Sequence, residues 1–105
     1  MRRLNWIKLR VDYFDGIKMV VLRQYKDCDE LMLFWLELIA LAGQINDGGQ
    51  IYIFRGHPVA IHDLAVKFDV RDEFVERALS LFEELELIVR DEQGVIRILD
   101  WDDFA

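Results

Sequence analysis

An α+β domain, mainly helical and carrying a small antiparallel sheet, is the architecture implied by this sequence. Residues 61–68 and 74–87 are amphipathic at helical spacing and separated by a short polar break, so they read as two helices joined by a tight turn. Ile88-Val89 and residues 95–99 are rich in β-branched side chains and flank Asp91-Glu92-Gln93-Gly94, which reads as a hairpin. Helix, turn, helix and hairpin in that order is the arrangement of a winged helix-turn-helix. Here it follows an N-terminal extension made of an extended segment and a helix.

Taken in order, residues 6–14 alternate apolar and basic side chains (Trp6, Ile7, Leu9 and Val11 around Lys8 and Arg10), which predicts an extended segment or short strand. Asp15-Gly16 opens a helix through about Tyr25, with Asp15 as N-cap and Ile17, Val20, Val21 and Tyr25 on one side. The longest helix spans residues 29–45. At about 100° per residue, Glu30, Leu33, Glu37, Ala40 and Gln44 share one narrow strip. Leu31, Phe34, Trp35, Leu38, Ile39, Leu41, Ala42 and Ile45 occupy much of the remaining circumference. That arc is roughly twice the ~100° stripe of an ordinary surface helix, so it must be covered from more than one side. The candidate covers are the 15–25 helix, the two later helices, or a second copy of the chain.

Asn46-Asp47-Gly48-Gly49 stops the helix and turns the chain. Residues 50–54 read as a strand that pairs with the 87–90 and 95–99 hairpin, Arg55-Gly56-His57 as a loop, and Pro58 as the first turn of a helix ending at Phe68. Leu64, Ala65 and Phe68 form that helix's inner face. Asp69 stands where the turn requires left-handed backbone, which aspartate tolerates better than most residues. Val70 plugs the gap between the two helices. On the next helix, residues 72–86, the buried face is Phe74, Val75, Ala78, Leu79, Phe82 and Leu85, with Phe74, Phe82 and Leu85 expected against Trp35 and Leu38. Glu86 occupies the position that commonly holds a helix-ending glycine, at a cost on the order of 1 kcal/mol if its backbone is left-handed.

A length of 105 residues predicts one domain: a basic extension (1–26), a core (27–99) and a short C-terminal tail (100–105). With 53% hydrophobic residues and three tryptophans, a packed core needs neither disulfide nor metal. A single cysteine, Cys28, fits a reducing cytoplasmic setting. Met1-Arg2-Arg3 leads into charged residues and not into an apolar run, and residues 31–42 are too short to span a bilayer. The expectation is a soluble protein with no membrane partner. The net charge of −7 is unevenly divided. Residues 1–26 hold seven basic side chains against two acidic ones, and the remainder holds six against eighteen. Either the two parts face different partners, or they are complementary surfaces that dock on each other.

Catalysis finds little support. His57 and His62 have no further ligand at metal-like spacing, no glycine-rich phosphate loop is present, and Cys28 is surrounded by Asp27, Asp29 and Glu30, which disfavour its thiolate. Glu83-Glu84 and Asp102-Asp103 read as solvated faces. No enzyme, metal or cofactor is expected. The second helix of the pair displays Asp72, Glu73, Glu76, Glu83, Glu84 and Glu86 against only Arg71 and Arg77, a surface poorly suited to phosphates. Nucleic-acid contact, where it occurs, falls instead to Arg2, Arg3, Lys8, Arg10, Lys18, Arg23 and Lys26; the alternative is that Lys8 and Arg10 simply face water. The wide apolar arc points to self-association as a dimer or larger homo-oligomer, through Trp6, Leu31, Phe34, Trp35 and Leu38.

The opening Trp6-Ile7-Lys8-Leu9-Arg10-Val11-Asp12-Tyr13-Phe14-Asp15, followed by Leu22-Arg23, resembles the start of the phage replisome organiser N-terminal domain family. The likeness continues through the long apolar helix, Gly48-Gly49-Gln50-Ile51-Tyr52 and Leu64-Ala65, nearly the whole chain. The opening motif is fairly specific, whereas the helix-turn-helix part is shared with many transcriptional regulators. The resemblance implies a winged-helix domain related to the N-terminal domain of the primosome protein DnaD. It implies a part in starting DNA replication through self-association and assembly with replication proteins of the host or phage, with weak DNA contact. Full-length members usually carry a further C-terminal region, and none is visible before Ala105. The competing readings are a winged-helix transcriptional regulator that binds duplex DNA, and a structural adaptor without nucleic-acid contact. The acidic second helix counts against the regulator.

Overall fold

The structure, a computed structural model, describes residues 3–105. Its regular elements are helices α1 (Ile17–Arg23), α2 (Cys28–Ile45), α3 (Ile61–Phe68) and α4 (Asp72–Glu84), and strands β1 (Gln50–Ile51), β2 (Ile88–Arg90) and β3 (Ile96–Ile98). The strands form one antiparallel sheet in the order β1-β3-β2. The α+β, mainly helical architecture with a small sheet is therefore present, and α3, a turn, α4 and the β2–β3 hairpin follow in the expected order.

Helix α2 is the hub. Leu31, Phe34, Trp35, Leu38, Ile39 and Ala42 are all buried within the single chain, while Glu30, Leu33, Ala40 and Gln44 face solvent. The strip read from the sequence is the exposed one. The cover comes from several sides: α1 and β1 pack on α2, and aromatic rings of α4 and the C-terminus surround its middle. Phe82 lies 5.3 Å from Trp35 and 6.1 Å from Phe34, centroid to centroid, and Phe74 lies 5.7 Å from Phe34. Phe82 is fully buried, but Phe74 and Leu85 are only partly so, because they sit at the margins of the α4 face.

The turn chemistry follows the expectations at both ends of α4. Asp69 and Glu86 have φ of 55° and 56°. The chain is pinned there by Val70 N–H donating to Ala65 O at 2.9 Å and Leu87 N–H donating to Phe82 O at 2.8 Å. Side chains alternate in the sheet, Ile96 and Ile98 inward and Arg97 outward, as a half-buried strand requires.

Five expectations are corrected. Residues 3–10 form no strand; they run as an irregular strap, and residues 13–15 make a 3-10 turn. Helix α1 is capped by Gly16, not Asp15, and buries Met19 and Leu22, while Ile17, Val20 and Tyr25 are exposed. The strand at residue 50 ends at Ile51: Ile53 N–H donates to His57 O at 2.9 Å and His57 N–H to Phe54 O at 2.8 Å, so the chain doubles back on itself instead of continuing along β3. Pro58 lies outside α3, which begins three residues later with Ala60 as its cap. Finally, residues 100–105 are not a free tail: two of the six, Trp101 and Phe104, enter the core, while Asp100, Asp102, Asp103 and Ala105 stay exposed. Trp101 and Phe104 are buried, with Phe104 5.4 Å from Tyr13 and 6.3 Å from Trp35.

Candidate nucleic-acid and assembly surfaces

Arg3, Lys8 and Arg10 sit on a strap held by two backbone bonds, Leu4 N–H to Gly43 O at 3.0 Å and Lys8 N–H to Phe104 O at 2.6 Å. Leu4 and Ile7 turn inward against α2. A Cβ on Gly43 would meet Ile7 Cγ2 at 3.0 Å, so the strap's close approach depends on that glycine. With Leu4 and Ile7 inward, Trp6 is left outward at 78% exposure, joined by Leu9 and Val11. Trp6 borders a shallow groove of about 150 Å³ whose other wall is Ala40, Gly43 and Gln44 of α2.

The structure scatters the cations proposed from sequence. Arg2 lies outside the described residues. Arg3 stands at the α2 groove. Lys8 and Arg10 border Asp102 and Asp103, and Arg10 pairs with Asp12 at 3.0 Å; the hydrogen bond from Arg10 holds the Asp12 carboxyl below its usual range. Lys18 Nζ donates to Glu86 O at 3.0 Å, and Arg23 and Lys26 are exposed at the end of α1 and just beyond it. Lys8, Arg10 and Lys18 thus lie beside oxygen atoms of the same chain, whereas Arg3, Arg23 and Lys26 carry no ion pair among the described residues.

The assembly residues divide in the same way. Trp6 is at the surface. Leu31, Phe34, Trp35 and Leu38 are core, with exposures of 0–1%, so the second copy invoked to cover them is not needed. The physical reason is that the cover is intramolecular: α1 and β1 pack on α2, Phe68, Phe74 and Phe82 surround Phe34, and Phe82 and Phe104 lie against Trp35.

The acidic face of α4 is present as read. His62 Nδ1 lies 3.1 Å from Asp72, Arg77 pairs with Asp27 and stacks over Phe74, and Arg90 pairs with Glu83. Glu73, Glu76 and Glu84 carry no ion pair among the described residues. One feature was not legible in the sequence: a cleft of about 300 Å³ floored by Trp35, Tyr13 and Phe104 and rimmed by Lys18, Glu86 and Asp103. Trp35 Nε1–H donates to Tyr13 Oη at 2.6 Å within it, and burial lifts the Tyr13 phenol above its ordinary value. Its parts come from four separated stretches of chain, so no local motif announces it. Among the described residues no group of three or more His, Cys, Asp or Glu could hold a metal, and no helix is long and apolar enough to cross a membrane.

No curated protein and no solved structure matches the chain. A family model described as N-terminal phage replisome organiser matches residues 6–105, and those residues include the strap from Trp6 onward, all four helices and the three strands. A match of that extent, from Trp6 to the end of the sequence, places the chain in the N-terminal phage replisome organiser family.

Proposed function

We propose that this domain serves phage replication initiation as an assembly module, joining copies of itself and replication proteins and touching DNA weakly. The observation that carries the reading is the exposed Trp6 on the strap, bordering a groove whose other wall is Ala40, Gly43 and Gln44 of α2, with Leu9 and Val11 also exposed further along the strap. Exposed apolar side chains grouped on one side of a small domain commonly mark an association surface. Self-association runs through that surface, while Leu31, Phe34, Trp35 and Leu38, buried in the chain's own core, make no direct contact in it. The DNA contact falls to Arg3, Lys8, Arg10, Lys18, Arg23 and Lys26, with Arg2 ahead of them in sequence. The winged helix-turn-helix serves as scaffold, since the α4 face that would enter a groove carries Glu73, Glu76 and Glu84. The same face disfavours a transcriptional regulator.

Light scattering over a concentration series tests the assembly. A mass that rises with concentration, and falls back towards the monomer with Trp6→Ala, is expected; a monomer at every concentration up to the millimolar range rejects it. For DNA, neutral replacements of Arg3, Lys8 and Arg10 should flatten the dependence of affinity on salt, because fewer counterions are released. An unchanged slope, with binding lost on mutating α4, favours the regulator.

A further inference from the structure

The chain doubles back between Ile53 and His57, and this tip is unlike the rest of the surface. Residues 48–62 form the longest stretch of the sequence without an Asp or Glu, in a chain that holds twenty of them. Within it Ile53 is 62% and Phe54 58% exposed, and Arg55 stands between them and the left-handed Gly56 (φ 82°). The tip is held by the two backbone bonds between residues 53–54 and His57, and the Phe54 ring lies 4.0 Å from the His57 ring, centroid to centroid. Behind it, Tyr52 Oη donates to Asp47 Oδ2 at 2.7 Å, which engages the acid bordering the run. Arg55 pairs with the same carboxylate at 3.7 Å, and with its side chain 80% exposed the remaining guanidinium N–H groups face solvent and an outside anion. On the far side, Pro58 abuts Gly94 of the β2–β3 turn.

We propose that the 53–57 tip binds a single nucleic-acid strand, a base stacking on Phe54 and Ile53 and a phosphate meeting Arg55. Exposed aromatic rings beside a cation are the means by which single strands are held without sequence reading. A duplex offers no unstacked base to such a tip. The stretch's lack of acid removes the repulsion that α4 would impose on the same backbone. This surface is separate from the N-terminal strap, so the two proposals stand or fall independently.

The test is fluorescence polarisation of a labelled oligothymidylate of about 16 nucleotides, a length within the site size of small single-strand binders, with the full chain at low salt. Phe54→Ala should weaken binding about 5- to 150-fold, the range of one lost stacking contact, and Phe54→Trp should restore it. Arg55→Gln should lower the slope of log affinity against log salt by about 0.7, one phosphate's share for a single strand. Near-UV circular dichroism confirms that each variant stays folded. Three results overturn the proposal: no binding by the wild-type chain, binding unaffected by Phe54→Ala, or Phe54→Ala altering only the light-scattering mass, which would assign the tip to protein contact. Strap variants that abolish binding while tip variants leave it intact would do so as well.

Discussion

Trp35 is the largest fully buried side chain, and its indole N–H has one partner, Tyr13 Oη at 2.6 Å. Tyr13→Phe removes that acceptor and leaves a buried donor unsatisfied, at a cost of about 1–3 kcal/mol, measurable as a lowered urea midpoint. Because burial raises the Tyr13 pKa in the folded state, its contribution is complete below the unfolded value of about 10 and is lost as pH rises through the folded one. Urea midpoints taken across that window should fall more steeply for the wild type than for Tyr13→Phe. Glu86 is a second residue with a defined cost. Its φ of 56° is left-handed, its side chain is exposed, and Lys18 bonds only to its carbonyl oxygen. Glu86→Gly should therefore stabilise the protein by about 1 kcal/mol without disturbing that bond. The left-handed position was legible from the sequence because the helix-turn-helix pattern dictates where the chain must reverse. The Tyr13–Trp35 bond was not, since nothing local relates residues 22 apart.

Helix α1 shows why element faces are harder to read than element positions. Its span was expected to within a few residues, yet Ile17, Val20 and Tyr25 face water and Met19 and Leu22 face the core. In a helix this short and this apolar, two faces are nearly equal in hydrophobicity, and the neighbour chooses between them. The C-terminal 3-10 turn (Trp101–Asp103) makes the same point. Read as a tail, it closes the core, and its Phe104 carbonyl holds the strap through Lys8 N–H. Phe104→Ala should cost about 3–5 kcal/mol. It should also release the strap, seen as faster amide exchange at Lys8. Exchange at Lys8 unchanged in that variant would separate the strap from the C-terminal turn.

Over the whole molecule, two properties that the sequence joins are separable. Trp6→Ala removes an exposed ring and should change the unfolding free energy, read from urea denaturation, by less than about 0.5 kcal/mol while reducing the mass seen by light scattering. Phe34→Ala should do the reverse, costing about 3–5 kcal/mol because its ring contacts Phe68, Phe74 and Phe82. The charge division is only partly answered at this scale: Arg10 pairs with Asp12 of its own segment, Lys18 donates to the Glu86 carbonyl, and Lys8 and Arg10 line a surface pocket with Asp102 and Asp103.

The sequence by itself determined the helical core, the order of α3, α4 and the hairpin, the left-handed turns at Asp69 and Glu86, the acidity of α4 and the family. These follow from periodicity, turn chemistry and side-chain charge, which are local. The tertiary structure decided which face of α1 is buried, that the wide arc of α2 is covered within one chain, that the strap and the C-terminal turn meet across Lys8 and Phe104, and that Ile53 and Phe54 leave the sheet. Each depends on which distant surface arrives to bury a given side chain. An apolar stripe states only that it must be covered; what covers it is settled by the packing of the whole chain.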